Sequence, residues 1–325
     1  MVTLGIRYDF RNPAFAGTSM ADRYHCAIAQ CEWADALGFE SVTLSEHHGT
    51  EDGYLPSLFP MAAAIAARTS RLRIRLAAVI APLHDPLRLA EDAAVVDQLS
   101  RGRLELVLAN GYVPSEFVMF DRKLSDRPKL VTEAVGVLKK GWTGEPFDFR
   151  GRTVRVTPRP YQDPRPPIML GGATEGAARR AARIADWFIP TLPQLWDVYR
   201  DELRALGKPD PGPTNLGGAS YLHVADDPDA TWAEVAPYAM HEMNAYGAWA
   251  AESGSDTGFT QIDDPDTLRA FGMHQVLSPK QCIEMIEGLG PNPYVMFHPL
   301  MGGVPPELAW QNLRTFEEKV LPNLA

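Results

Sequence analysis

The chain reads as an α/β protein, a single (β/α)8 TIM barrel over residues 1–325 with an inserted hairpin and a candidate lid loop. Three observations predict this. Short β-type runs alternate with helical-period runs along the whole length, which argues for parallel strands joined by crossover helices. The runner-up is an open doubly wound sheet, but no Gly-x-Gly-x-x-Gly follows the first strand, where a dinucleotide fold places one. No low-complexity stretch, repeat or linker divides the chain, and barrels commonly exceed ~250 residues as one unit.

The elements follow in order. Leu4–Tyr8 is the first strand, and residues 20–37 carry Tyr24, Ile28 and Cys31 at helical spacing. Glu40–Leu44 is the second strand, followed by an alanine-rich helix over 56–69. Residues 72–80 interleave Leu, Ile and Val as the third strand. The helix at 86–99 sets Leu89, Ala93 and Val96 near one face. In the fourth strand, 103–108, Leu104, Leu106 and Leu108 alternate with Arg103, Glu105 and Val107.

A helix over 128–142 precedes a hairpin, 147–156, that turns at Gly151. Ile168–Leu170 is the fifth strand, stopped by Gly171-Gly172, with a helix through Ala185. Residues 186–190 are the sixth strand and 195–206 a helix closed by Gly207. Residues 219–224 are the seventh strand, followed by a long helix over 229–251. Ser278-Pro279 starts another helix, with serine as N-cap and proline at the first helical position. Tyr294–Phe297 is the eighth strand and 308–320 the last helix. The segment 252–275, rich in Gly, Ser, Asp and Thr, is long for a connection and reads either as a lid or as a surface insertion.

Composition bounds the function. With 325 residues, 45% hydrophobic and 22% charged, the chain has ample core. A net charge of −10 argues against nucleic-acid and anionic-membrane partners. No apolar stretch of ~20 residues and no leader pattern is read, so the expected location is cytoplasmic. Cys26, Cys31 and Cys282 have no metal-type spacing and read as buried free thiols.

Four pieces converge at the predicted barrel mouth, where the loops after strand C-termini carry chemistry. Glu46-His47-His48 follows the second strand, and histidine exchanges protons near neutrality without much tuning. Ala77-Ala78 lies in the third strand, before His84-Asp85-Pro86; paired small residues let a flat ring lie against backbone, although alanines also simply pack. Asn110-Gly111-Tyr112 follows the fourth strand and suits a ring with hydrogen-bonding edges. Gly171-Gly172-Ala173-Thr174 joins a strand to a helix N-terminus, a place for an anion, although a bare Gly-Gly is also an ordinary turn. Together they imply a planar, phosphorylated cofactor.

His47, His48, His84 and His298 could instead form a metal centre. Adjacent histidines on a strand point to opposite faces and the spacing is wrong, so no metal is assigned. His298 and Arg7 are candidates for substrate contact or for a packed histidine and an edge ion pair. Trp187, Trp196 and Trp249 read as core or interface rather than as substrate-stacking rings.

These motifs resemble the bacterial luciferase-like flavin oxidoreductases over essentially the whole chain. The resemblance is carried by Leu44 to His48, Glu51 to Ser57, Asp85 to Arg103, Gly111-Tyr112 to Phe120, Trp142-Thr143-Gly144, Pro166 to Gly172, and His298 to Gly303 with Lys319 to Pro322. It implies a TIM barrel, usually dimeric, that binds FMN or deazaflavin F420. It implies that His47 is catalytic with Glu46 and His48 beside it. It implies that Ala77-Ala78 border the flavin through an unusual peptide and that Gly172, Ala173 and Thr174 bind its phosphate. Asn110 stands where luciferase has an arginine on the phosphate, and Gly172-Ala173 replace its Glu-Ser, so backbone N–H groups take more of that role and light emission is not expected.

The expected activity is that of an FMNH2-dependent monooxygenase. A separate reductase supplies reduced flavin, O2 and a small organic molecule are the substrates, and His47 acts as base or proton donor, oriented by His48 and Glu46. The alternatives are an F420-dependent dehydrogenase or reductase on the same barrel, and a flavin-binding relative without turnover.

Overall fold

The computed structural model describes residues 2–213, 221–254 and 258–324. The first half alternates β1 (Thr3–Tyr8), α1 (Met20–Ala36), β2 (Ser41–Leu44), α2 (Leu58–Arg68), β3 (Arg73–Ile80), α3 (Pro86–Ser100) and β4 (Leu104–Ala109). A short α4 (Pro114–Met119) and α5 (Arg127–Gly141) lead to an antiparallel hairpin, β5 (Phe147–Phe149) and β6 (Arg152–Val154). Then come β7 (Ile168–Gly172), α6 (Glu175–Ile184), β8 (Trp187–Pro190), α7 (Leu195–Ala205), β9 (Tyr221–Val224) and α8 (Pro228–Ser253). The chain continues through α9 (Pro265–Ala270), β10 (His274–Leu277), α10 (Pro279–Gly288), β11 (Tyr294–Phe297) and α11 (Pro306–Lys319).

The main sheet has nine parallel strands in the order β10-β9-β11-β1-β2-β3-β4-β7-β8. Without β10 this is the cyclic strand order of a (β/α)8 barrel, with β11 seated between β9 and β1. Two expectations change. The sheet gains a ninth strand, β10, paired with β9 at His274↔Tyr221 through Leu277↔Val224. The segment 252–275 is not one lid loop: it holds the end of α8, all of α9 and the start of β10. The six-residue α9 is too short to leave a clear period, and His274-Gln275-Val276-Leu277 holds a single β-branched residue and no Phe, Tyr or Trp. The expected start of the seventh strand, 219–220, lies outside the described residues.

Helix starts follow a local rule. Asp85, Asp227, Asp264 and Ser278 each cap a helix whose first residue is proline, and each side chain accepts first-turn N–H groups. The core lies between strands and helices: Ile6, Val42, Leu44, Ile74, Leu76, Leu104 and Leu106 are fully buried. The alternation in β4 survives, but its other face is buried too. Glu105 accepts from Arg73 Nε at 2.5 Å and Arg75 Nε at 2.8 Å. Burial opposes ionisation of Glu105, and the two guanidiniums overcome it and lower its pKa.

Candidate active site

The loop after β2 carries the histidine pair, and its hydrogen bonds divide the pair between two carboxylates. His47 is buried and its Nδ1 lies 2.8 Å from Glu116 Oε1. The same oxygen accepts the His48 backbone N–H at 2.9 Å. Glu116 comes from α4 and is itself buried. A carboxylate accepts only, so a neutral His47 carries its proton on Nδ1 and presents Nε2 as the free end.

Glu46 does not orient His47, contrary to expectation. Its Oε1 pairs with His48 Nε2 at 2.7 Å and His84 Nε2 at 2.8 Å, while Oε2 accepts the Ile80 backbone N–H at 2.9 Å. Burial alone would raise the Glu46 pKa; the two imidazoles more than offset it and hold it at about 2. Burial disfavours the charged form of His84, and Glu46 outweighs this and raises its pKa. Glu46 thus ties the ends of β2 and β3 together. In the sequence Glu116 stands out only as part of the Gly111-to-Phe120 block; nothing local pairs it with His47, which lies 69 positions away, and its helix is too short to read.

The other predicted pieces sit at the C-terminal ends of neighbouring strands. The Ala77-Ala78 peptide is cis, and the β3–β4 register shifts between Ala77 and Val79. Both alanines are half-buried, whereas Leu76 and Val79 on either side are fully buried. This small-residue stretch of backbone therefore faces accessible space, as a flat ring requires. Asn110, Gly111 and Tyr112 follow β4 and are all half-buried. Gly111 has φ +70°, and a Cβ there would come within 2.7 Å of Ile80 Cγ2. Gly171 and Gly172 end β7, and Thr174 caps α6 by accepting the Ala177 N–H at 3.2 Å. Ala173 and Thr174 are exposed beside the helix N-terminus, open to an anion. A side chain at Gly172 would collide with Ala177 Cβ. The residues present therefore fit a planar, phosphorylated group.

Aromatic rings surround His47. Trp249 of α8 stacks on it with centroids 4.1 Å apart at 28°, and Tyr54, Tyr112 and Tyr246 meet it edge-on. Trp249 packs against the hydrophobic core, as expected, and also stacks on His47; Trp196 is buried as expected, against an exposed Trp187. Arg11 lies on the far side of the same rings, its guanidinium carbon 4.8 Å from the Tyr54 centroid, 5.0 Å from Tyr246 and 4.7 Å from Trp249. Arg11 Nη1 donates to Asp52 at 2.5 Å, and Asp52 also pairs with His241 at 2.7 Å.

Beyond Arg11, Asp9, Glu242 and His298 form a fully buried group. His298 lies 3.6 Å from Asp9 and 3.7 Å from Glu242. Ligand-type atoms of the three fall within 4.8 Å of one another, but Arg11 at 3.8 Å from Asp9 already brings a cation to this group. Burial resists ionisation of Asp9, and His298 and Arg11 overcome it and lower its pKa. Arg7 lies 3.4 Å from the Tyr221 hydroxyl. The sequence offered His298 and Arg7 as candidates and missed Asp9, Arg11 and Glu242.

Comparison with known proteins places this arrangement. The family model described as luciferase-like monooxygenase matches residues 3–289. An uncharacterised protein of Sinorhizobium fredii, y4vJ, is 32% identical over 162 residues, 48% of this chain and 46% of its own length. The chain thus spans about half the length of the first curated relatives it matches. The FMNH2-dependent dimethylsulfone monooxygenase of Pseudomonas putida is 24% identical over 298 residues, 84% of this chain and 81% of its own. Among solved structures, monooxygenase RslO1 of Streptomyces bottropensis superposes with a TM-score of 0.78 at 26% identity, covering 100% of both chains. With the family model matching nearly nine-tenths of its length, the chain belongs to the luciferase-like monooxygenases.

Proposed function

We propose that the protein is an FMN-dependent monooxygenase that takes flavin already reduced by a separate reductase and oxygenates a small organic substrate. The observation that carries this reading is the buried His47–Glu116 pair at the end of β2, with Glu46 tying that strand end to β3, which carries the half-open Ala77-Ala78 backbone. Bound as FMNH2, the cofactor supplies two electrons, so that O2 delivers one atom to the substrate and the other to water.

The chain's own residues do the rest. Ala77 and Ala78 give the ring a flat wall, and Asn110, Gly111 and Tyr112 border its edge. Gly171, Gly172, Ala173 and Thr174 offer backbone N–H groups to the phosphate, with little side-chain help. Glu116 fixes the His47 ring so that Nε2 gives or takes the proton, and Tyr54, Tyr246 and Trp249 exclude water from it. Glu46 and His48 hold the loop rather than His47 itself. No metal enters this reading. The chain works as a single unit in a homodimer, a reading that rests on the family resemblance and, for the dimer, on the exposed Val95 and Leu99 of α3.

Anaerobic titration with reduced FMN and, separately, reduced F420 tests it. Saturable FMNH2 binding, with His47→Ala binding equally but without turnover, is the expected outcome. Binding of F420 alone would move the protein to the hydride-transfer alternative, and unchanged turnover in His47→Ala would remove the role of His47.

A further inference from the structure

Resting on the monooxygenase reading of this site, the next question is what substrate it takes. Trp249 is an internal stand-in for a ligand. Its indole fills a slot whose one face is the His47 imidazole and whose other side meets the Arg11 guanidinium. A slot that holds one flat ring between an imidazole and a cation is shaped for another. Trp249 itself sits on the last turns of α8, before the left-handed Gly254 that ends the helix. That end is tethered by Glu252, which accepts the Ser115 N–H at 2.9 Å in an exposed position. Such a tether opens at small cost.

The polar groups behind the slot define the rest of the ligand. Among the described residues, Arg11 Nε and Nη2 are buried N–H donors without a hydrogen-bond partner, and Asp9 Oδ2 is a buried acceptor without one. Arg11 Nε and Asp9 Oδ2 lie 3.8 Å apart, too far to bond directly. A hydroxyl between them would accept from the guanidinium and donate to the carboxylate. An aliphatic chain would leave Arg11 Nε and Asp9 Oδ2 buried and unpaired, each at the full cost of its desolvation. A carboxylate ligand would meet Asp9, Asp52 and Glu242, and an ammonium would meet Arg7 and Arg11. Of the three unmet atoms, a neutral hydroxyl suits the Arg11 Nε and Asp9 Oδ2 pair.

We infer that the substrate is a planar aromatic hydroxyl compound: its ring takes the place of Trp249 between His47 and Arg11, and its hydroxyl bridges Arg11 and Asp9. Trp249 is then the plug that the substrate displaces.

The test is equilibrium binding to the whole protein without flavin, using 2-naphthol, naphthalene and 2-naphthoate, with indole fluorescence and dialysis as readouts. 2-Naphthol should bind at least about tenfold more tightly than either of the others. Trp249→Leu should tighten 2-naphthol about fivefold or more, because no plug has to leave. Arg11→Lys, with circular dichroism and melting like wild type, should bring 2-naphthol down to the naphthalene level. If Arg11→Lys does not fold, the three-ligand comparison on the wild-type protein decides alone. Equal affinity for 2-naphthol and naphthalene, or tighter 2-naphthoate, overturns the inference. So does a Trp249→Leu variant that tightens reduced FMN but not 2-naphthol, since the slot would then be the flavin's. Loss of FMNH2 binding with 2-naphthol selectivity intact would sink the monooxygenase reading alone.

Discussion

Replacing Glu116 by Gln separates positioning from packing at His47. Its Oε1 accepts two donors, the His47 ring at 2.8 Å and the His48 amide at 2.9 Å, in a buried place. Glutamine keeps the volume and one acceptor oxygen but loses the charge. A bond to a charged acceptor is worth about 1.5–3 kcal/mol against about 1 for a neutral one. When His47 carries a proton in the transition state, the missing carboxylate costs further Coulomb energy, at most about 4 kcal/mol for unit charges 4 Å apart near a protein surface. A net loss of about 1.5–3 kcal/mol is expected, or a fall of about 10- to 150-fold in kcat. The assay is turnover of a screened substrate with supplied FMNH2, alongside anaerobic FMNH2 titration. The affinity for FMNH2 should stay within about threefold, since the interaction is made with the proton in motion. A kcat within threefold of wild type would refute the reasoning. A parallel loss of flavin affinity would show Glu116 to be structural instead.

Further outcomes follow from the same geometry. The Glu46 pKa is held at about 2 against an ordinary 4.5, so its contribution is present above about pH 4.5 and is lost as pH falls towards 2. That gap corresponds to about 3 kcal/mol. Glu46→Gln should lose a stability of this order in urea titrations at pH 7, and the difference from wild type should shrink by pH 3. The raised pKa of His84 works in the opposite sense: its contribution is full below about 6.5 and fades as pH rises through the folded value, so Glu46→Gln should also flatten that limb. Gly172→Ala puts a methyl against Ala177 Cβ, which cannot swing away, and should cost about 1–3 kcal/mol, read as a lower melting temperature. Cys26, Cys31 and Cys282 are all buried, and burial pushes the thiols of Cys26 and Cys282 up to about 11 and about 12. A thiol reagent at pH 8 should find none of them in the native protein and all three after denaturation.

Local signals carried the sequence a long way. The strand and helix periods, the Asp-Pro and Ser-Pro helix starts and the Gly151 hairpin are set within a few residues of each other, and the structure keeps them. The Glu46-His47-His48, Ala77-Ala78 and Gly171–Thr174 segments were legible because strand C-termini fix where such residues stand. Pairing was not legible. Which carboxylate serves which histidine depends on α4 crossing the end of β2, and Glu116 takes His47 while Glu46 clamps His48 and His84. The Arg11 cage joins residues more than 230 positions apart, and Trp249 reaches His47 from α8. Periodicity and capping act over one or two turns, so sequence alone determined the elements and the loops that carry the chemistry. Partners across the barrel are chosen by packing and by the need to satisfy buried charge, and only the tertiary structure decided those.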